Sequence, residues 1–148
     1  MVKVETVKKG SALAEQLISF VENCSWAEVK DHLADMLRNW VFTDWETFFA
    51  AVKDGRIIGM CSVMKTDYYP LPEIFPWVSC VFVDEEFRGH RISGKLISTA
   101  NSYLKELGFD RSYIPTEYKG LYEHYGYRYL KDITNYGGGN DRLYVKEI

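Results

Sequence analysis

Charge of one sign is not in surplus: 18 Lys and Arg stand against 21 Asp and Glu, for a net charge of -3. The basic excess that neutralises a phosphate backbone is therefore missing, and nucleic acid is not the expected partner. Cysteine is scarce and unpaired. Cys24, Cys61 and Cys80 are odd in number and lack CxxC spacing, so neither a disulfide framework nor a thiolate zinc site is implied, and a reducing compartment fits. No apolar run approaches the roughly 18 residues of a membrane span, and Met1–Glu5 opens no signal-like apolar stretch, so a cytoplasmic protein without a membrane partner is expected. His32, His90 and His124 are scattered without ligand spacing, and no metal is expected. With 47% hydrophobic and 26% charged residues the composition is that of a globular protein, and 148 residues allow one domain, residues 1–148.

What is abundant is aromatic: 16% of residues, with eleven Tyr and four Trp. Such residues serve cores, pocket walls and interfaces alike. The order of elements narrows those uses. Val2–Val7 alternates as a strand. Ser11 then caps a helix whose apolar positions Leu13, Leu17, Ile18 and Val21 share one face. Ser25 and Glu28 form a capping-box pattern that predicts a second helix from Trp26 to Trp40. Phe48–Val52 and Ile57–Met64 read as strands joined by a hairpin at Asp54-Gly55. The Pro-rich stretch Tyr68–Pro76 predicts a loop, and Trp77–Val83, dense in β-formers, a strand. Ile92–Leu107 has helical periodicity and ends at Gly108, a glycine stop. Ser112–Ile114, a short helix within Tyr118–Tyr125, and strands at Tyr127–Ile133 and Leu143–Val145 complete a mixed α/β layout.

The segment Arg88-Gly89-His90-Arg91-Ile92-Ser93-Gly94-Lys95 lies between a strand and the first turn of a helix. Unpaired N–H groups and the positive end of the helix dipole favour an anion there. Residues 89–95 match G-x-x-x-x-G-K, but Leu96 follows where a P-loop needs a metal-binding Ser or Thr. The segment instead resembles the acyl-CoA loop of the GNAT N-acetyltransferase superfamily: Arg or Gln, two residues, Gly, one residue, then Gly or Ala. Arg88, Arg91 and Ser93 occupy the first, fourth and sixth positions. Val81–Gly89 is similar to that family's fourth strand and turn, and Leu121-Tyr122-Glu123-His124-Tyr125-Gly126-Tyr127 resembles its late "LYEKYGF" signature. The likeness in layout runs over nearly the whole chain.

The resemblance implies a mixed, mostly antiparallel central sheet flanked by helices, acetyl-CoA as co-substrate, and direct transfer to a primary amine of a small molecule. It assigns donor binding to Val81, Phe82, Val83, Arg88, Gly89, His90, Arg91, Ile92, Ser93 and Gly94. Arg91 stands where the family has Gly, and Ser93 where it has Gly or Ala; a side chain at 91 either shifts the loop or adds a cation toward the pyrophosphate or 3′-phosphate. Tyr122 falls at the position of the family's general acid, with aromatic packing as the rival use. An alkylamine with a pKa near 10.4 is neutral only about once in 2,500 molecules at pH 7, so a carboxylate or water chain must take its proton. Glu73 and Glu117 are the candidates, Glu73 being chosen here. Cys80 on the same strand reads as a small hydrophobe sooner than as a nucleophile. Tyr68, Tyr69, Phe75 and Trp77, with Asp67 and Glu73 to attract a cation, would wall an acceptor pocket or bury a homodimer contact. The alternative function is a non-catalytic acyl-CoA sensor or interaction module with the same fold.

Overall fold

The computed structural model describes all 148 residues. β1 (Lys3–Val7), α1 (Ala12–Glu22), α2 (Lys30–Asn39), β2 (Thr47–Lys53), β3 (Arg56–Met64), β4 (Trp77–Val83), α3 (Ile92–Glu106), β5 (Arg111–Thr116), β6 (Arg128–Thr134) and β7 (Asn140–Glu147) follow in that order. The strands form one seven-stranded sheet, β1-β2-β3-β4-β5-β7-β6. Every neighbouring pair is antiparallel except β4 and β5. This is the mostly antiparallel, helix-flanked sheet that the sequence resemblance implies.

Local chemistry sets most of the boundaries. Ser11 Oγ accepts the Ala14 N–H at 3.1 Å and starts α1. Asp54 and Gly55 both take positive φ, 52° and 75°, the conformation that a tight hairpin turn needs between right-twisted strands. Gly108, at φ 100°, ends α3. The second helix departs from its sequence signal. It begins at Lys30, with Val29 at the cap position and no side-chain cap. Trp26 lies stacked on Phe82, with ring centroids 6.1 Å apart and planes 9° apart, so tertiary packing holds residues 26–29 as a turn ahead of the helix. Within Tyr118–Tyr125 the helical part is a single 3-10 turn, Tyr122–Tyr125.

Both faces of the sheet are covered, which is why β2 and β3 read as unbroken apolar runs. Phe48, Ala50 and Met60 pack with Leu17, Val21, Leu33 and Leu37 of α1 and α2. Phe49, Ala51, Ile58 and Cys61 pack with Leu96, Ile97, Ala100 and Leu104 of α3. A polar cluster is sealed under α3. Ser112 Oγ donates to Asn101 Oδ1 at 2.6 Å and lies 2.6 Å from Tyr127 Oη, and Asn101 Nδ2 donates to Tyr127 Oη at 3.0 Å. Ser112→Ala leaves these partners under-satisfied and is expected to cost about 1–3 kcal/mol, read as a lower urea midpoint at unchanged m value.

Candidate active site

The sheet comes apart at β4. β4 and β5 meet only at Trp77 and Tyr113, and from Val78 onward the β5 side of β4 has no strand beside it. A bulge sharpens the divergence. Ser79 pairs with Ser62 and Phe82 with Met60, so Cys80 and Val81 together face Cys61. Cys80 takes φ 53°, left-handed backbone that costs a residue with a side chain about 1–3 kcal/mol. Just beyond, Asp84 N–H donates to Ile58 O at 2.8 Å. Strand alternation therefore turns the N–H and C=O of Val83 toward the open side.

A cleft of about 1550 Å³ opens along this edge. At one end lies the loop entering α3. Arg88 Nε fills the Val83 carbonyl at 2.9 Å, and its guanidinium stands 5.3 Å from the Phe82 ring centroid, so this side chain is already committed to β4. Gly89 takes φ 87°. Arg91, at the N-cap of α3, takes φ 60° and ψ 27° and caps nothing with its side chain. Holding an arginine in this conformation costs about 1–2 kcal/mol relative to the right-handed region. The backbone N–H groups from Gly89 to Gly94 reach no protein acceptor. Together with the helix dipole they form a cradle for an anion.

Tyr125 braces that cradle. Its hydroxyl lies 2.7 Å from Ser93 Oγ, and its ring packs so closely on Gly94 that a Cβ there would come within 2.9 Å of Cε1. Glycine at 94 is required by this contact. Tyr122 also lines the cleft but is differently placed: it is buried, and its hydroxyl bonds to no protein atom. Burial, reinforced by neighbouring tyrosines, pushes its phenol well above the ordinary value, so it stays a proton donor.

The other end of the cleft is aromatic and acidic. Tyr69 faces it, stacking on Trp77 at 5.4 Å and donating its hydroxyl to Asp141 Oδ2 at 2.7 Å. Tyr68 packs edge-on against Tyr136 at 5.7 Å. Asp67 is central. Its carboxylate accepts the Ser79 hydroxyl from β4 and the Tyr68 N–H. Burial, and to a smaller degree the charge of Asp141, pushes its pKa up against the opposing effect of those two hydrogen bonds. Burial, with help from Asp67, also pushes the Cys80 thiol up to about 12, so it stays protonated and is no nucleophile at neutral pH.

Of the residues expected from sequence, Val81, Phe82, Val83, Arg88, Gly89, Arg91, Ile92, Ser93 and Tyr122 line the cleft, while His90 and Gly94 belong to the loop without lining it. Glu73 does not reach the cleft; it is exposed in the Pro-rich loop, whereas Glu117 is among the lining residues. Phe75 and Trp77 likewise form no wall: Phe75 turns toward Phe109 at 6.3 Å, and Trp77 is fully buried in the core. Sequence reasoning gave Asp67 only a share in attracting a cation and missed the part played by Tyr125. The hydrogen bonds that mark both cross between separate elements and leave no local signal.

No curated protein matches the chain by sequence. Among solved structures the fold recurs in an aminoglycoside 6'-acetyltransferase type Ii, 16% identical with TM-score 0.75, covering 98% of this chain and 96% of that one. It recurs in an aminoglycoside 6'-N-acetyltransferase complexed with coenzyme A, 14% identical with TM-score 0.75 and the same coverage. An acetyltransferase from Streptococcus agalactiae is 17% identical with TM-score 0.71, covering 99% of this chain and 98% of the other. In sequence, the acetyltransferase (GNAT) domain matches residues 44–129, from the approach to β2 through the loop, Tyr122 and the first turn of β6. That match takes in more than half of the chain, which therefore belongs to the GNAT acetyltransferase family.

Proposed function

We propose that the protein is an N-acetyltransferase that moves the acetyl group of acetyl-CoA directly to a primary amine of a small, cationic molecule. The observation that carries this reading is the separation of charge along one cleft. Its lining arginines, Arg88 and Arg91, both belong to the loop, while Asp67 and Asp141 line it beside Ser79 and Tyr69, and Glu28, Glu46 and Glu117 add further negative charge to the lining. An anionic donor suits the first end and an ammonium acceptor the second.

The residues present fit acetyl-CoA. The unpaired N–H groups of residues 89–94 would take its phosphates, and the open edge of β4 at Val81–Val83 would take the amides and carbonyl of its thioester arm. Bound there, it supplies an activated acetyl group and a thiolate leaving group. A backbone donor aimed at the thioester oxygen is worth roughly 3–4 kcal/mol. Asp67 is the carboxylate that receives the proton from the attacking ammonium, and its burial makes it a better base than a solvated carboxylate. As the new N–C bond forms and the C–S bond breaks, the Tyr122 hydroxyl delivers its proton to sulfur. The nitrogen still carries one proton more than an amide and gives it to solvent, which also returns one proton to Tyr122 and removes one from Asp67, so that each turnover releases one proton net.

Aminoglycoside 6'-acetyltransferases share the fold, so multiply charged amino sugars belong in the acceptor panel beside linear polyamines and simple amines. Calorimetric titration with acetyl-CoA, followed by thiol release against that panel, tests the reading. Binding with turnover on cationic amines is expected. Binding without turnover on any amine would favour a non-catalytic acyl-CoA sensor, and no binding at millimolar ligand would reject the donor site.

A further inference from the structure

Two side-chain polar atoms sealed from solvent have no hydrogen-bond partner, Ser62 Oγ and Trp77 Nε1. The indole can only donate, whereas a hydroxyl can also accept. An unpaired hydroxyl in a core is unfavourable, and alanine would fill the place of Ser62 without one. What serine adds at this position comes from its oxygen. Ser62 lies on β3 directly opposite Ser79 of β4, and both are buried, so their side chains share one face of the sheet with Cβ atoms roughly 5 Å apart. The Cys80 thiol is also near, yet no hydrogen bond closes between it and Ser62, and a protonated thiol is a weak acceptor. Ser79 in turn donates to Asp67.

We propose that Ser62 is a positioning residue for the acetyl transfer, its hydroxyl taking the hydrogen bond of Ser79 whenever Asp67 gains a proton. The proposal rests on Asp67 being the base, as above. Ionised Asp67 accepts from two donors, the Tyr68 N–H at Oδ1 and the Ser79 hydroxyl at Oδ2. An N–H cannot accept, so Oδ1 stays an acceptor and the proton taken from the ammonium settles on Oδ2. That O–H then donates to Ser79 Oγ, and the proton of Ser79 turns to another oxygen. Ser62 Oγ stands across the strand pair with no other partner. One N–H bond breaks and one O–H bond forms; the two serine side chains only rotate. Ser79 lines the cleft and Ser62 does not, so Ser62 acts through Ser79 and touches no substrate.

The test compares wild type with Ser62→Ala, Ser62→Thr, Ser79→Ala and the double variant Ser62→Ala/Ser79→Ala. Asp67 is faced by Tyr69 of its own loop, Cys80 of β4 and Asp141 of β7, and Glu28, His32 and Glu46 line the same cleft. The Asp67 carboxyl carbon is therefore followed by NMR across pH, beside the pH profile of kcat/KM for a cationic amine. Ser62→Ala removes support from the protonated carboxyl only. Expected are an Asp67 pKa about one pH unit lower, an acidic limb of kcat/KM displaced by the same amount, kcat down about three- to tenfold, and a melting temperature at pH 7 no lower than wild type. Ser62→Thr keeps the hydroxyl and should restore the wild-type pKa, and in the Ser79→Ala background Ser62→Ala should change nothing further. An unchanged Asp67 pKa in Ser62→Ala, or the same change with Ser79 already removed, would overturn the proposal. A lowered pKa with an unmoved acidic limb would instead overturn Asp67 as the base.

Discussion

Replacing Tyr122 with Phe is expected to lower kcat about a hundredfold or more while leaving the Kd for acetyl-CoA within twofold of wild type. The ring fills the same volume against Tyr125 and Tyr127, so packing is kept and only the hydroxyl is lost. That hydroxyl has no protein partner, and its removal therefore strands nothing and should not lower stability. A general acid typically contributes 10²–10⁴-fold, and the missing proton must then come from water in a buried cleft. Steady-state rates beside calorimetry separate the two effects. A kcat unchanged within threefold would remove Tyr122 from the chemistry and leave it as an aromatic of the core.

Asp67→Asn should produce opposite changes in activity and stability. At neutral pH kcat/KM for a cationic amine is expected to fall about a hundredfold, since the amide can neither take a proton nor balance an ammonium. The hydrogen bonds can survive, with the amide oxygen toward the Tyr68 N–H and the amide nitrogen toward Ser79 Oγ. Stability should rise. The folded-state pKa of Asp67 lies above its unfolded value, so the native protein holds that proton more tightly than the unfolded chain does. Well below the unfolded value of about 3.9, both states are protonated and the ionisation costs nothing. The cost appears as pH rises through the folded pKa and is complete above it. Asparagine has no such cost, and the gap in melting temperature between variant and wild type should be near zero around pH 4 and widen toward pH 7. Tyr69, Cys80 and Asp141 are the other ionisable groups bearing on Asp67, and the first two stay neutral across this range. A gap that is constant with pH would show that Asp67 titrates in the native protein as it does in water.

How far the sequence could be read followed how local the determinant was. The Asp54-Gly55 turn, the Ser11 cap and the Gly108 stop are decided within four residues, and each lies where the pattern predicts. The start of α2 is decided by Trp26 finding Phe82, a contact across the chain that outweighs the Ser25/Glu28 pattern. The placement of residues 88–94 was legible because a turn from a strand into a helix needs a local run of small and polar residues, and most of them line the cleft. The carboxylate proposed as base was not. Glu73 lies close in sequence to β4 yet stays outside the cleft, whereas Asp67 reaches β4 from twelve residues before its partner Ser79. No periodicity marks a loop residue whose importance comes from three elements meeting around it.

The parting of β4 from β5 also bears on aggregation. An unpaired row of N–H and C=O groups is ordinarily a template on which a foreign strand can add, and proteins guard such edges with charge, proline or short length. Here the row lies in the middle of the sheet, where β5 rejoins at Trp77 and Tyr113 and the space narrows to a notch. An incoming strand needs room for side chains on both faces and a free flank of its own, and β5 takes up that flank. A slender molecule carrying a few amides needs neither. Position inside the sheet is thus what guards this row of backbone groups, since β5 blocks the continuation of any added strand past Trp77.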